Sequence, residues 1–230
     1  MKTYIVLIGD IEASKELEES KRHQVQKALK DAFEEINDSC SSLVSPYTVT
    51  LGDEFQAVFS QADDLFVHAW KILAALHPVR VRFSIGVGQI TTSLNREQAL
   101  GMDGPAFHLA RDGVEQLKES GYLFNIAVQE TSNAWVRSIN NSLYLFSNQV
   151  RSWNKNRLNI LYMLETGKNY KQITKVLGIS EPAFYKNIDA ASLDVVIDLF
   201  KDISEIINKW VANELHDISY AAESDTDFTA

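Results

Sequence analysis

The chain has 230 residues, 45% hydrophobic and 23% charged, with a net charge of −9. That composition excludes a disordered chain and a collagen-like fibre, and a single cysteine, Cys40, excludes an internal disulfide. The opening apolar run is too short for a secretory signal and no stretch approaches the roughly 20 apolar residues that span a bilayer, so a cytoplasmic protein without a membrane partner is expected.

Residues 3–9 are β-branched and aliphatic and read as a fully buried strand, broken by Gly9-Asp10. Ser14 reads as the N-cap of a helix in which Val25, Leu29, Phe33 and Ile36 recur every three or four residues, ending near Asn37. Pro46 opens a strand over 47–51, and Gly52-Asp53-Glu54 turns it back into a second run, 55–59, as a hairpin. Leu65, Ala69, Ile72, Leu73 and Leu76 mark a helix closed by Pro78. A long strand over 79–90 carries Val81, Phe83, Ile85 and Val87 on one face, and Gly86 and Gly88 on the other, where something can approach closely. A helix over 105–119, a strand over 122–128 and a helix over 129–148 follow. The order β-α-β-β-α-β, then α-β-α, predicts an α+β, ferredoxin-like sheet domain over residues 1–148 with helices on one face.

Beyond residue 149 the β pattern stops. Three short helices and a long one over 192–215 predict an all-α domain, 149–220, followed by an acidic flexible tail, 221–230. Residues 151–190 carry seven Lys and Arg against three acids, while 1–150 is net −6 and 191–230 net −7. A basic island in an acidic chain attracts phosphate backbones. Gly178 lies between two helical patterns, Ser180 caps the second and Pro182 fits its first turn, which predicts a helix-turn-helix. Lys171, Lys175, Tyr185 and Lys186 suit duplex DNA phosphates, and Glu181 or Asn187 a base edge. The same turn can equally serve packing or dimerisation. The last helix bears an apolar stripe from Val195 to Leu215, to be buried within the chain or in a homodimer, the form that paired DNA half-sites require.

Two acidic positions stand out in the first domain. Asp10 ends the first strand, and Asp53 with Glu54 forms the hairpin turn, so adjacent strands would set Asp10 and Asp53 facing each other at one edge. Such carboxylates with the Ile11 carbonyl suit Mg²⁺ or Mn²⁺, and the amides of Glu12, Ala13 and Ser14, opening a helix, suit a nucleotide phosphate. Arg82 and Arg111 are cations available to phosphates. Asp10 as a simple cap and Asp53 as a simple turn residue remain the plainer alternative. His23, His68, His77 and His216 lack metal-ligand spacing, and Trp70, Trp135 and Trp153 fall on apolar faces.

Gly52-Asp53-Glu54-Phe55 resembles the signature turn of GGDEF-type diguanylate cyclases. Its pairing with Gly9-Asp10-Ile11 resembles the metal site of class III nucleotide cyclases and polymerase palm domains. The resemblance implies two metals on Asp10, the Ile11 carbonyl, Asp53 and Glu54, with Glu54 and Arg111 as catalytic candidates. The segment from Asp103 through His108 to Arg111 resembles the nucleotide-contacting Arg and Asn helix of those families. Leu51 replaces the first glycine of the signature, His108 stands where Asn is usual, and Arg111 lies one residue closer to Gly104 than in the cyclase pattern. Over nearly the whole chain, Gly9-Asp10-Ile11 with Ser14, Thr50–Gln56, Asp103–Arg111 and the helix-turn-helix resemble the SatD family of bacterial proteins, a likeness that implies architecture more than activity. Three functions follow: a DNA-binding regulator with a nucleotide- and metal-binding first domain, an active metal-dependent nucleotidyl cyclase or transferase, and a non-catalytic interaction protein.

Overall fold

Nine mostly aliphatic residues, Thr3–Ile11, form β1, the middle strand of a five-stranded sheet. The computed structural model describes residues 2–50, 52–129 and 134–214; Leu51, Leu215, His216 and the acidic tail lie outside them. The elements after β1 are α1 (Glu19–Ser39), β2 (Leu43–Val49), β3 (Glu54–Phe59), α2 (Leu65–Leu76), β4 (Val81–Gln89), α3 (Pro105–Ser120) and β5 (Phe124–Val128). Then come α4 (Ala134–Val150), α5 (Lys155–Glu165), α6 (Tyr170–Leu177), α7 (Glu181–Ala191) and α8 (Leu193–Val211). The sheet order is β2-β3-β1-β4-β5, antiparallel throughout except for the parallel pair β4–β5. The fold is mixed α+β, and no strand occurs among the described residues after β5.

The expectation of helices on one face is corrected. Ile5, Leu7, Phe55, Phe83 and Ile85 belong to a cluster with α1 and α2, whereas Val6, Ile8 and Val58 pack on Ala106, Phe107, Ala110 and Val114 of α3. Alternate residues of a strand point to opposite faces, so a strand covered on both sides must be apolar at nearly every position. That is why β1 reads as a continuous run. Gly86 explains how α3 comes so close: a Cβ there would lie 2.1 Å from the Ala106 carbonyl oxygen and 2.7 Å from the Ala110 nitrogen.

Two boundaries also move. Ser14 does not cap α1; it starts a single 3₁₀ turn, Ser14–Glu16, and α1 begins at Glu19. The Ser14 hydroxyl is drawn instead to the Asp53 carboxylate. Pro46 sits inside β2, at the sheet edge and within the register shift between Ser45 and Thr48, where a residue without an N–H is tolerated.

The helices after residue 149 join the α1/α2 side of the core. Phe200 of α8 lies 4.7 Å from both Phe66 and Trp70 of α2, and 4.9 Å from Phe146 of α4, ring centre to ring centre. Asn208 accepts from the Ala62 amide at 2.7 Å and donates to Asp63 at 2.8 Å. The stripe of α8 is thus used within the chain: Val196, Phe200, Ile203, Ile207 and Trp210 are buried, though Val195 stays 67% exposed. Trp70 and Trp153 are core residues, but Trp135 is 49% exposed.

His68 on α2 is buried between the rings of Tyr47 and Phe59. Burial lowers its pKa to about 4, with Lys71 adding to the effect and Asp64 opposing it. The unfolded chain therefore takes up this proton before the folded one does, so stability falls as pH drops from about 6.5 toward 4, by up to about 3 kcal/mol. Urea melts across that window should show this loss, and His68→Leu should flatten it.

Candidate functional site

The first candidate site lies at the β1 end that carries Asp10. Across the sheet Asp10 is register partner to Glu54 on β3 and to Arg82 on β4. Direct antiparallel partners share a face, so Glu54, Asp10 and Arg82 form a row beneath the C-terminal end of α3. Asp10 is only 4% exposed. Its Oδ2 accepts from Arg82 Nη1 at 2.8 Å, and its Oδ1 lies 3.7 Å from Lys118 Nζ. Arg82 reaches Glu12 with Nη2 at 3.0 Å, and Arg80 meets the same carboxylate at 3.6 Å. Lys118 also contacts Glu54 at 3.3 Å and Glu115 at 2.9 Å.

The seating of α3 aims Lys118 at this row. Gly113 presses on β4 so closely that a Cβ would lie 2.1 Å from Ser84 Oγ and 2.4 Å from Asn125 Nδ2. Five residues on, Lys118 projects past the sheet end over Asp10. Burial raises the Asp10 carboxyl above its usual range, against the pull of Arg82 and Lys118. Burial alone would lower the Lys118 ammonium, but Glu115, Asp10 and Glu54 together raise it. Lys118 stays charged at neutral pH.

The residues expected from sequence are distributed unevenly. Asp10 faces Glu54 rather than Asp53, because the register pairs 10 with 54. Asp53 is next to them, its carbonyl accepting from the Ile11 amide at 3.1 Å, but its carboxylate takes the Ser14 hydroxyl. It lines a cleft of about 200 Å³ with Ile11, Ser14, Lys15, Arg22 and Gln26. The amides of Glu12, Ala13 and Ser14 do not open a helix: the Glu12 amide is spent on the Arg80 carbonyl at 2.9 Å, and Ala13 is left-handed at φ 53°. Asp103 and His108 pair with each other at 2.8 Å, and Asp103 also feels Arg111. They lie near the start of α3, and the helix rises about 20 Å from Pro105 to Lys118, so they and the Asp10 row are at opposite ends of the helix.

These side chains, as arranged, do not fit a divalent ion. Both Asp10 oxygens face cations, Asp53 is engaged by Ser14, and among the described residues no group of three or more His, Cys, Asp and Glu is placed to share a metal. Sequence reasoning missed Lys118, Glu115 and Arg80. Glu115 and Lys118 read locally as an exposed i,i+3 pair; only the path of α3 over β4 carries them to Asp10.

The second candidate site is the α6–Gly178–α7 segment, expected from the sequence as a helix-turn-helix. Asn169 and Gln172 form a reciprocal capping box that starts α6, Gly178 turns the chain at φ 63°, and Ser180 Oγ accepts from the Ala183 amide to start α7. Phe184 and Ile188 face inward, while Glu181, Tyr185 and Lys186 on α7 and Lys171 and Lys175 on α6 are exposed. Asn187 is half-buried, and its amide donates to the Ala183 carbonyl at 2.8 Å.

A model of the SatD family matches residues 4–207. No curated protein matches the sequence. Among solved structures, a bacterial light-regulated adenylyl cyclase is 17% identical with a TM-score of 0.41, over 55% of this chain and 43% of the cyclase chain. The catalytic core of a rhodopsin-guanylyl cyclase with converted specificity, in complex with ATPαS, is 14% identical with a TM-score of 0.39, over 55% of this chain and 77% of the other. At these scores any functional argument rests on this chain's own residues. No helix among the described residues is long and apolar enough to cross a membrane.

Proposed function

The chain belongs to the SatD family, and we propose that it is a cytoplasmic DNA-binding regulator that reads duplex DNA through α7 and responds to a nucleotide at its sheet unit. The observation that carries this reading is the two-sidedness of α7. Its inner side is satisfied by Phe184 and Ile188, and its outer side leaves Glu181, Tyr185 and Lys186 uncovered beside Lys171 and Lys175. A capped turn that presents one helix in this way suits insertion of that helix into a major groove while the preceding helix crosses the backbone. Lysines at such positions meet phosphates and make affinity salt-dependent.

Residues 1–148 and 149–220 act as functional units joined by shared packing rather than a free linker. A shift of the sheet unit would pass to the DNA unit through Phe200 and Asn208. The cleft at Ser14, Lys15, Arg22 and Asp53 is the place proposed for the nucleotide, with Lys15 as the cation for its phosphates and Arg22 held in the wall by the carbonyls of Ser14, Lys15 and Leu17. Two copies on paired half-sites complete the reading. The test is retention of a random-sequence duplex pool by the full chain at low salt, with mass measured on the retained complex. Retention that Lys171→Ala with Lys186→Ala abolishes is expected; no retention at all would favour the interaction-protein reading.

A second reading, a metal-dependent nucleotidyl cyclase or transferase, rests on Asp10 and Glu54 facing each other across β1 and β3, and it requires Lys118 to give up its place between them to the metal. Incubation with Mg²⁺ or Mn²⁺ and each nucleoside triphosphate, followed by product analysis, tests it. Cyclic or condensed nucleotide that Glu54→Gln or Arg111→Ala removes would establish it.

A further inference from the structure

We propose that the Lys118 ammonium is the resident cation of the Asp10–Glu54 row, a built-in charge that closes the centre against divalent metals. Three carboxylates from three different elements converge on its one nitrogen: Glu115 of α3 at 2.9 Å, Glu54 of β3 at 3.3 Å and Asp10 of β1 at 3.7 Å. An ammonium has three N–H donors and no acceptor, so it can serve three oxygens at once. The Glu115 and Glu54 oxygens accept hydrogen bonds from it, and the Asp10 oxygen, at 3.7 Å, is held as an ion pair.

The other side of Asp10 is closed in the same way. Arg82 holds Oδ2 at 2.8 Å and is itself anchored by Glu12, so each oxygen of Asp10 faces a cation. The helix that carries Lys118 is seated closely on the sheet, by Gly86 against the α3 backbone and by Gly113 against the side chains of Ser84 and Asn125. Its side chain is 35% exposed and that of Asp10 6%, so the lysine covers the row from the solvent side. Removing only its charge leaves Glu54 and Glu115 with no cation from α3 and Asp10 with Arg82 alone, at a spot open to water and ions. Carboxylates held that close repel, and a divalent ion is the simplest relief. This inference is independent of DNA binding.

The experiment is a Mn²⁺ titration of the full chain, followed by the electron paramagnetic resonance signal of free Mn²⁺ and by melting temperature. Wild type should show no binding that depends on Asp10, and chelators should leave its melting temperature unchanged. Lys118→Met should gain saturable Mn²⁺ binding at least tenfold tighter than wild type, and adding Asp10→Asn to it should remove the gain. Lys118→Arg should stay closed. Should Lys118→Met fail to fold, Lys118→Gln is read by the same titration. Wild-type Mn²⁺ binding that Asp10→Asn abolishes would overturn the proposal, as would a charge-removing variant that folds and gains nothing.

Discussion

Replacing Phe200 with alanine is expected to cost about 4 kcal/mol and to lower the stability of the sheet and of the C-terminal helices together. Phe200 is 1% exposed, and its ring meets those of Phe66, Trp70, Phe124 and Phe146. Truncation removes most of a buried aromatic and leaves a cavity walled by bulky neighbours on α2, β5 and α4, which cannot collapse without moving the sheet. Urea unfolding followed by tryptophan fluorescence, to which the buried Trp70, Trp153 and Trp210 contribute, and by far-ultraviolet circular dichroism should give coincident curves shifted by the same amount. Two separated transitions, with the sheet unmoved, would show that the two halves do not share a core.

Arg82→Met is expected to cost about 3 kcal/mol at neutral pH, because it strips the main partner from a carboxylate that is 4% exposed. The cost should depend on pH with a definite sign. Asp10 already sits above the usual carboxylate range through burial, and losing Arg82 raises it further. A folded-state pKa raised above the unfolded value gives stability that is present at low pH and lost as pH rises through it. The variant should therefore come closest to wild type in acid and fall behind as pH increases. Thermal melts of both proteins across the acidic to neutral range check this, and a pH-independent difference would mean that Asp10 is not the group left unpaired. Asp10→Asn in the same background should remove most of the pH dependence.

Most of the sheet could be read from apolar spacing, since β1, β3 and β4 alternate or run apolar in step with their burial, and the capped turn at Gly178 and Ser180 is purely local chemistry. What could not be read depended on residues far apart in the chain. Ser14 looks like a cap because its hydroxyl must bond something, but the partner is Asp53, 39 residues away. Asp10 and Asp53 were expected to face each other, whereas the β1–β3 register sets Asp10 against Glu54. Asp103, His108 and Arg111 share α3 with Lys118, but which end of that helix overlies Asp10 depends on its direction across the sheet. Of the glycines at this packing, Gly86 reads as a place of close approach and Gly113 carries no signal of its own; neither sequence segment names the helix or strand it packs against.

The claim at the centre of this account is that α6 and α7 bind duplex DNA, and the salt dependence of that binding tests it most directly. Fluorescence anisotropy of a duplex selected from the random pool, titrated with the full chain over a series of salt concentrations, gives the slope of log affinity against log salt. Each of Lys171→Ala, Lys175→Ala and Lys186→Ala should weaken binding and reduce that slope by about 1, as one phosphate contact is lost. Lys118→Met, in the sheet unit, should leave it unchanged. An affinity indifferent to salt, or three lysine variants that bind as wild type does, would contradict the account.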